Sequence, residues 1–368
     1  MENILRKLVA FQTVTGEEQA THEALDYIAS YLAERGMHIE RFDSHNFESL
    51  VALTQPGHKT PKVMLGAHLD VVSAPDELFT VRKENGRLYG RGVLDMKFSI
   101  AAYMQFVDDI QDHLEDYDFG IMITSDEEIG GYNGVAELIK EGYLPKVCIL
   151  PDGGDNWQIQ TGAKGFLRFK VTSYGKSAHG SRPWLGKSAF APLLKALSEI
   201  EALFPENNAQ SNTYNLGLLE GGTSGNQVAD YAEALLDFRL INKQEMTRIH
   251  KATQATCAKY DLELSVQLEG GPVNFSLDEP YIAPFARHIT DVTGITVEGS
   301  YTLGSSDARH FSDADVPCVS LYPTGGDHHG SEEWLSEEAF YQFKEVLDRY
   351  MDEVAKVSSG APSLAAKH

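Results

Sequence analysis

Six side chains in this sequence could bind metal ions or carry protons, and each follows a short apolar run or a glycine-bearing turn. They are His68, Asp95, Glu127, Glu128, Asp152 and His329. Imidazole and carboxylate groups are common ligands of divalent ions, and a carboxylate can also accept a proton. Two histidines and three carboxylates in this order suit two divalent ions bridged by one carboxylate. The other member of the glutamate pair could then take a proton from a metal-bound water.

The apolar runs before most of these residues indicate how they are positioned. The runs cover residues 63–67, 119–124, 147–151 and 316–322. Unbroken apolar runs of about four to eight residues are typical of strands buried on both faces, as in a parallel sheet. Ligands of open α/β sheets gather at the carboxyl ends of such strands. Segments that lie far apart in the sequence are therefore expected to meet at one crevice.

Taken one at a time, these residues have ordinary structural alternatives. Asp95 follows a glycine-rich loop and opens a predicted helix, so it could be a helix N-cap. The Glu127–Glu128 pair could be a solvated acidic turn, and Asp152 could begin a turn before two glycines. His328 and His329 could lie on the surface. The combination, on loops that follow apolar runs, favours a metal site over these separate alternatives.

The residues beside the first histidine fit the same interpretation. His68 and Asp70 form a His-x-Asp element at a predicted strand end. In a metal site the Asp70 carboxylate would orient the imidazole through its other ring nitrogen, although such an element can also be an ordinary turn. Mixed imidazole and carboxylate ligation without thiolates favours zinc, with cobalt or manganese as alternatives.

Composition limits the class of protein. With 368 residues the chain is long enough for two domains, at about 150 residues each. The formal charge of 31 − 54 = −23 argues against nucleic acid and anionic lipid as partners. No apolar run approaches the ~20 residues that cross a bilayer, and the first residues are unlike a secretory signal. Three cysteines, expected to be reduced, favour a cytoplasmic location.

Secondary-structure patterns divide the chain into two predicted domains. Residues 1–162 and 272–357 alternate helical and strand patterns, which predicts a catalytic α/β domain with a mainly parallel sheet. Residues 163–271 have the order βαββαβ, which is the ferredoxin-like unit. This second domain is an insertion, because candidate ligands lie on both sides of it. The small polar tail, residues 358–368, is predicted to be disordered.

Four motifs together resemble a known enzyme family. They are His68-Leu69-Asp70-Val71-Val72, Gly90-Arg91-Gly92 through Asp95-Met96-Lys97, Glu127-Glu128-Ile129-Gly130-Gly131, and His329 with Glu333 four residues later. The set is similar to the co-catalytic zinc exopeptidases and deacylases, and the resemblance spans nearly the whole chain. That family includes aminoacylase, acetylornithine deacetylase, succinyl-diaminopimelate desuccinylase, glutamate carboxypeptidase, peptidase T and carnosinase-type dipeptidases.

The resemblance implies a role for each residue of the metal site. His68 and Asp152 would hold the first metal ion, and Glu128 and His329 the second. Asp95 would bridge the two ions, and Glu127 would be the general base. His329 is preferred to His328 because the family's last ligand precedes a glutamate by four residues, as His329 precedes Glu333.

The resemblance also assigns residues outside the metal site. The inserted domain would be a lid and a dimerisation domain, with His179 supporting the substrate oxyanion, often across a dimer interface. Asn226 lies in a segment that resembles the lid strand bearing a substrate-binding asparagine. Arg309 resembles an arginine that binds a substrate carboxylate, and its alternative role is a structural salt bridge. His179 could likewise be a satisfied histidine of the lid.

Two residues depart from the family pattern. Phe98 stands where glycine is usual, and Ser188 stands where asparagine is common. Phe98 could fill a pocket beside the metals or pack against the sheet.

The sequence therefore predicts a di-metal hydrolase that cleaves an amide bond of a short peptide by metal-activated water. Asp152 favours a dipeptidase or aminopeptidase, because glutamate is common at this position in deacylases and carboxypeptidases of the family. A deacylase of N-acyl amino acids or a carboxypeptidase is the alternative within the family. A catalytically silent binding protein is the alternative outside enzymes. The expected assembly is a homodimer through the lid domain.

Overall fold

The computed structural model describes residues 1–302, 304 and 306–357. The tail that the sequence predicts to be disordered, residues 358–368, lies outside the described residues. The chain divides into two compact units. The first unit contains Met1–Thr161, Phe275–Thr302 and, among the described residues, 306–357; the second contains Gly162–Asn274. The second unit is therefore an insertion in the first along the chain. The roles of a catalytic domain and a lid remain predictions.

The elements of both units are numbered along the chain. The helices are α1 (Glu2–Ala10), α2 (Glu18–Ala33), α3 (Lys97–Ile110), α4 (Val135–Lys140), α5 (Phe190–Glu201), α6 (Lys243–Lys259), α7 (Ala283–Thr293), α8 (Ala308–Asp313) and α9 (Glu337–Val354). The strands are β1 (His38–Ser44), β2 (Phe47–Leu53), β3 (Val63–His68), β4 (Arg82–Glu84), β5 (Arg87–Tyr89), β6 (Phe119–Thr124), β7 (Val147–Ile149), β8 (Ile159–Ala163), β9 (Gly165–Tyr174), β10 (Thr213–Gly221), β11 (Tyr231–Leu240), β12 (Glu263–Gly270), β13 (Val273–Asn274), β14 (Gly299–Thr302), β15 (Cys318–Val319), β16 (Gly325–Gly326) and β17 (Trp334–Ser336).

The first unit is built on a six-stranded sheet with the order β1-β2-β6-β3-β7-β15. The four strands β6, β3, β7 and β15 pair in parallel. The strands β3, β6 and β7 are buried along their whole length, as expected for unbroken apolar runs inside a parallel sheet. The predicted α/β class is confirmed, and the carboxyl ends of β3 and β6 lie side by side.

The sheet is mixed because a hairpin adds two antiparallel strands at one edge. Strand β1 pairs with β2, and β2 pairs antiparallel with β6. The hairpin turn is formed by His45 and Asn46, whose φ angles of 52° and 69° are both positive. Two such residues make the tight turn that matches the twist of a hairpin. Strand β1 is largely polar, so its sequence carries no apolar run to predict it.

Helix α3 packs on this sheet through side chains of its buried face. The buried Tyr103 hydroxyl lies 3.1 Å from the Gly66 carbonyl oxygen and 3.0 Å from that of Ile149. Phe98 is fully buried, and its ring meets that of Phe343 in α9 edge to face at 5.1 Å. The departure from glycine at Phe98 is therefore a packing contact between two helices.

A second, smaller sheet of the first unit has the order β16-β17-β5-β4. Its strands pair antiparallel, with Trp334 opposite Tyr89 and Leu335 opposite Leu88. The chain that leaves β5 leads to Asp95, and the chain that enters β17 comes from His329. This pairing therefore brings the roots of two candidate ligand loops together, although the short strands carry no strong sequence pattern.

The second unit has the predicted ferredoxin-like order. Its four-stranded antiparallel sheet has the order β10-β11-β9-β12, and α5 and α6 complete the βαββαβ unit. The core includes Phe169, Phe204 and Phe238, and the Phe238 ring lies 5.5 Å from that of Phe169 and 5.3 Å from that of Phe204. Asn226 lies in the loop before β11, which begins at Tyr231, rather than in the strand that its segment resembles.

Within the described residues, no helix combines the length and the apolar character that crossing a membrane would require.

Candidate metal centre

His68 is the last residue of β3 and is completely buried. Its Nδ1 atom lies 2.9 Å from the Asp70 carbonyl oxygen, and the Asp70 carboxylate is farther away, at 3.6 Å. The main-chain carbonyl, rather than the expected carboxylate, is therefore the closer partner of the ring. With Nδ1 held by this carbonyl, Nε2 is the ring nitrogen that faces the rest of the site.

The Asp70 carboxylate has a different task in the structure. Its two oxygens accept hydrogen bonds from the backbone N–H groups of Glu127 and Glu128, both at 3.2 Å, and from the Thr15 hydroxyl at 3.0 Å. Asp70 is 1% exposed, so these bonds are shielded from water. Asp70 thus holds the turn that carries the glutamate pair, while its carbonyl orients His68.

Asp95 lies between the two histidines of the site. Its Oδ1 is 3.1 Å from His68 Nε2, and its Oδ2 is 3.1 Å from His329 Nε2. Burial opposes ionisation, but the hydrogen bonds from His329 and His68 hold the pKa of Asp95 well below its usual range. One carboxylate with an oxygen towards each imidazole has the arrangement that a bridging ligand needs.

The adjacent glutamates begin one short 3-10 turn directly after β6. Glu128 Oε2 lies 3.1 Å from His329 Nε2, which brings these two side chains together. Burial of the Glu127 carboxyl group, and then the negative charge of Asp152, raise the pKa of Glu127 well above its ordinary value. The adjacent carboxylates therefore point to different neighbours, as the predicted division of labour requires.

Asp152 and Tyr322 form a buried contact that the sequence did not reveal. The Tyr322 hydroxyl lies 2.6 Å from Asp152 Oδ1 and 3.0 Å from Asp95 Oδ1. Burial and then the charge of Asp95 raise the pKa of Asp152 to about 6. Tyr322 belongs to an apolar run, where a tyrosine is usually a core residue. The one signal in the sequence that it lies near the metal site is the histidine pair that follows it, His328 and His329.

The candidate ligands form two clusters. The first ligand group is His68, Glu127 and Asp152, and the second ligand group is Asp95, Glu128 and His329. Within each group the ligand atoms lie within 4.8 Å of one another. Asp95 faces both groups, because its two oxygens contact His68 and His329.

Two observations test whether these residues suit metal ions. Asp152 Oδ2 is buried with no hydrogen-bond partner among the described residues, which is costly unless a cation or a donor meets it. Hydrogen bonds to Asp95 and Glu128 raise the pKa of His329 to about 10, so this part of the site stabilises positive charge. A divalent ion in each ligand group would meet both requirements, and the donor set therefore fits a pair of such ions.

Arg309 is buried, and its guanidinium contacts main-chain carbonyl oxygens. It is 3% exposed, and its Nη1 donates to the Ser306 carbonyl oxygen at 3.2 Å. Its Nη2 donates to the carbonyl oxygen of Gly130, which His310 Nε2 also contacts at 3.0 Å. Burial lowers the pKa of His310 to about 4, so its neutral ring donates one hydrogen bond there. These contacts are compatible with the structural alternative for Arg309, and its role in binding a substrate carboxylate stays a prediction.

The two residues expected on the lid lie next to each other in the second unit. His179 and Gln227 form an isolated β-bridge, and the Gly180 N–H donates to the Asn226 carbonyl oxygen at 2.6 Å. The His179 side chain is exposed, and its Nδ1 accepts a hydrogen bond from the Ser181 N–H at 3.1 Å. Ser188 Oγ accepts from the Ala191 N–H at 3.4 Å near the start of α5.

Comparison with known proteins identifies the family. The model of peptidase family M20/M25/M40 matches residues 64–353. A succinyl-diaminopimelate desuccinylase of Acidovorax ebreus (strain TPSY) is 27% identical over 384 residues, covering 95% of this chain and 96% of that protein.

Solved structures with the same fold cover both units. The aminopeptidase PepT of Bacillus cereus ATCC 10987 has a TM-score of 0.76 and 19% identity, covering 96% of this chain and 98% of that one. The metallo-carboxypeptidase Sso-CP2 of Sulfolobus solfataricus has a TM-score of 0.73 and 18% identity, covering 95% and 98%. These likenesses establish the fold, and the family match establishes the class of enzyme. The chain belongs to peptidase family M20/M25/M40 and is a metal-dependent hydrolase of amide bonds.

Proposed function

We propose that this enzyme is a dipeptidase or aminopeptidase that holds two divalent ions, zinc in the first place, with Glu127 as its general base. The observation that carries the proposal is the position of Asp95, whose oxygens lie 3.1 Å from the Nε2 atoms of His68 and His329. A carboxylate placed in this way can bridge two ions, one in each ligand group.

The proposed ligands divide between two sites. His68 and Asp152 hold one ion, Glu128 and His329 hold the other, and Asp95 contributes to both. Tyr322 supports this arrangement, because its hydroxyl is already within hydrogen-bond distance of Asp152 Oδ1. The remaining oxygen, Oδ2, has no hydrogen-bond partner in the part of the chain that the structure describes and is the one offered as a ligand. A hydrogen bond of this kind fixes the orientation of a ligand.

Bound divalent ions supply an acidified water and polarise the scissile carbonyl. Glu127 accepts the proton of the attacking water and returns it to the departing amine. The surroundings of Glu127 suit this task, since burial and the charge of Asp152 raise the affinity of its carboxylate for a proton. Asp70 keeps Glu127 in place through the hydrogen bond that the Glu127 N–H donates to it at 3.2 Å.

The choice of a free peptide over an acylated amino acid rests on Asp152. In the resemblance on which the proposal draws, an aspartate at this position is typical of the peptidase T and dipeptidase branch. The alternative is an N-acyl amino acid deacylase or a carboxypeptidase, and the relative named succinyl-diaminopimelate desuccinylase favours it. Arg309 remains the residue that the resemblance offers for a substrate carboxylate, and the hydrogen bonds of its guanidinium to main-chain oxygens support the alternative of a structural role.

A substrate panel separates these activities. The purified, zinc-loaded enzyme is assayed for kcat/KM against unblocked dipeptides and tripeptides, N-acetyl amino acids, N-succinyl amino acids including N-succinyl-diaminopimelate, and carboxypeptidase substrates with a blocked amino end. We expect the unblocked peptides to give the highest kcat/KM. Faster cleavage of an N-acyl substrate would overturn the peptidase assignment and keep the hydrolase class. The Glu127→Gln variant is the control for contaminating peptidases. A protein that binds metal yet hydrolyses none of the panel would support the catalytically silent alternative.

We also propose that the enzyme is a homodimer through the second unit, and that His179 and Asn226 act at the substrate as parts of a lid. Strand β10 lies at one end of its sheet, and Leu216, Leu218 and Leu219 along it are 37%, 37% and 40% exposed. An edge strand with exposed apolar residues is a ready site for pairing with a second copy.

A cytoplasmic location accompanies this proposal. Its support is that Cys148, Cys257 and Cys318 are all free and buried. Free thiols are typical of proteins in a reducing compartment.

A further inference from the structure

The buried carboxylate of Glu333 collects four hydrogen bonds from one loop. Its Oε2 accepts from Arg91 Nη1 at 2.7 Å and from the Gly92 N–H at 3.0 Å. Its Oε1 accepts from the Leu94 N–H at 2.9 Å and from the Asp95 N–H at 3.1 Å. Glu333 is 1% exposed, so the bonds are made in a dry environment where they are strong. The backbone that carries the bridging aspartate is therefore fixed by a single side chain.

Arg91 extends this contact to a second loop. Its Nη2 donates to the carbonyl oxygens of His329 at 3.2 Å and of Gly330 at 3.0 Å. His329 has a positive φ of 61°, a conformation that a non-glycine residue keeps only when its surroundings hold it there. Arg91 is 3% exposed, and its planar fork can serve the carboxylate and the two carbonyls at once.

The fold explains why these groups meet. Glu333 immediately precedes β17, and β17 pairs with β5, which immediately precedes Gly90. The Gly90 N–H donates to the Glu333 carbonyl oxygen at 3.1 Å and continues this pairing. The strand pairing thus places the side chain of Glu333 next to the loop that follows β5, from whose backbone N–H groups it accepts hydrogen bonds.

We propose that Glu333 and Arg91 are positioning residues that couple the two metal sites, because together they fix the bridging ligand Asp95 and the second-site ligand His329 to one another. The inference rests on the proposed function, since it assumes that these two residues bind metal ions. Neither Glu333 nor Arg91 touches the reacting atoms in this account. Their effect is on how tightly, and in what geometry, the ions are held.

The chemistry of the contact suggests a sharp substitution. Each oxygen of Glu333 accepts two N–H donors. In Glu333→Gln one oxygen becomes an amide nitrogen, which is itself a donor, so either orientation sets it against two buried donors. The shape is retained, but two hydrogen bonds are lost. Loss of a contact that orients a ligand typically weakens metal affinity about 10- to 100-fold.

The neighbouring glutamate offers a matched control. The Glu332 side chain is 66% exposed and contacts the exposed Arg82 at 3.1 Å. Glu332→Gln changes the same charge one residue away without reaching the Asp95 loop. The Glu332→Gln variant should therefore bind zinc with the affinity of the wild-type protein.

The experiment measures zinc binding to chelator-treated protein by calorimetry, and the visible absorption spectrum of the cobalt-loaded protein. We expect Glu333→Gln to bind zinc about 10- to 100-fold more weakly and to show an altered cobalt spectrum, with an unchanged circular dichroism spectrum. Arg91→Lys keeps the positive charge but loses the planar guanidinium that contacts Glu333 and the two carbonyls. It should also weaken zinc binding and alter the cobalt spectrum. The double variant should bind zinc less weakly than the product of the two single losses predicts, because the two residues share one contact, while Arg91 also serves the carbonyl oxygens of His329 and Gly330.

The possible outcomes are distinguishable. Unchanged zinc affinity and an unchanged cobalt spectrum in folded Glu333→Gln would overturn the coupling and leave the proposed function intact. If the wild-type protein binds no metal, the proposed function itself is overturned. If Glu333→Gln does not fold, Arg91→Lys decides the question by the same two readouts: wild-type affinity and spectrum would refute the coupling, and a loss in both would support it.

Discussion

Glu127 and Glu128 are adjacent in the sequence, yet their side chains fall in different ligand groups. The turn that separates them is held by Asp70, whose two carboxylate oxygens accept both backbone N–H groups at 3.2 Å. The sequence predicts that the Asp70 carboxylate orients His68. In the structure this carboxylate instead holds the proposed base, Glu127, and the proposed ligand, Glu128, in one turn. The main-chain carbonyl oxygen of Asp70 orients His68, at 2.9 Å from Nδ1.

The first prediction separates the two glutamates. Glu127→Gln should keep both metal ions and lose most turnover, about 10²- to 10⁴-fold, because it removes the proposed proton acceptor and leaves His68, Asp152 and Asp95 as the proposed ligands of the first ion. Glu128→Gln should instead lower the metal content, since Glu128 Oε2 lies beside His329 in the second ligand group. Metal analysis and kcat are measured on the same samples. Normal turnover in Glu127→Gln would mean that another residue is the base.

At this scale the sequence predicts residue types well and contacts less well. The six candidate side chains are recognisable because His, Asp and Glu are unexpected after buried strands, and the structure gathers them in two groups. Tyr322 is not recognisable, since a tyrosine in an apolar run has the pattern of a core residue. Arg309 has the motif of a substrate-binding residue, but its sequence does not reveal its 3% exposure or its contact with the carbonyl oxygen of Gly130, which is distant in the chain.

Among the elements, the turn after β6 depends most on its glycines. Gly131 has a φ of +62°, and a Cβ atom built on it would lie 1.8 Å from Asp307 Oδ1. The Gly131 N–H also donates to the Asp126 carbonyl oxygen at 2.8 Å, which closes the turn that carries the glutamate pair. Both the conformation and the close approach require a glycine here.

The second prediction tests this turn. Gly131→Ala should lower kcat by about 10²-fold, because the clash with Asp307 moves the Glu127–Glu128 turn by the order of 1 Å. Gly57→Ala is the control, since Gly57 also has a positive φ, of +70°, but has no atom within 4 Å of its added Cβ. Steady-state kinetics on both folded variants provide the measurement. Equal activity in the two variants would show that the turn tolerates displacement.

Strands with unbroken apolar runs were the predictable elements. The predicted bounds of β3 and β6 agree with the structure because both strands are buried on both faces. Strands β1, β5 and β17 were not predicted, since they are short or polar and are defined by their partners rather than by their own residues. The candidate metal site depends on both kinds of strand. The buried strands β3 and β6 lead to His68 and the glutamate pair, and the short strands β5 and β17 bring together the loops of Asp95 and His329.

For the whole molecule, the described residues divide into one unit that contains both ligand groups and an inserted unit that contains His179 and Asn226. The order βαββαβ made the second unit recognisable from sequence. The predicted homodimer came from the family resemblance rather than from the pattern of this fold, and its proposed contact is the edge strand β10 with its exposed leucines. The roles of lid and dimer contact therefore need a test with two chains.

The third prediction is such a test. His179→Ala and Glu127→Gln should each be nearly inactive alone, and mixing them should regenerate activity. In a mixed dimer, one active site then has an intact base and an intact histidine from its partner. Hydrolysis is measured after mixing, with subunit exchange followed by labels of different mass. No recovery despite exchange would place the action of His179 within its own chain, and a monomer in solution would contradict the dimer.

The most direct test of the central claim is the metal dependence of hydrolysis. Metal content per chain and kcat are measured on one preparation before chelation, after exhaustive chelation, and after the return of zinc, cobalt or manganese. The two ligand groups joined by Asp95 predict two ions per chain, loss of activity with the metal, and its recovery when metal is restored. Full hydrolysis of an unblocked dipeptide by protein free of metal would contradict the account.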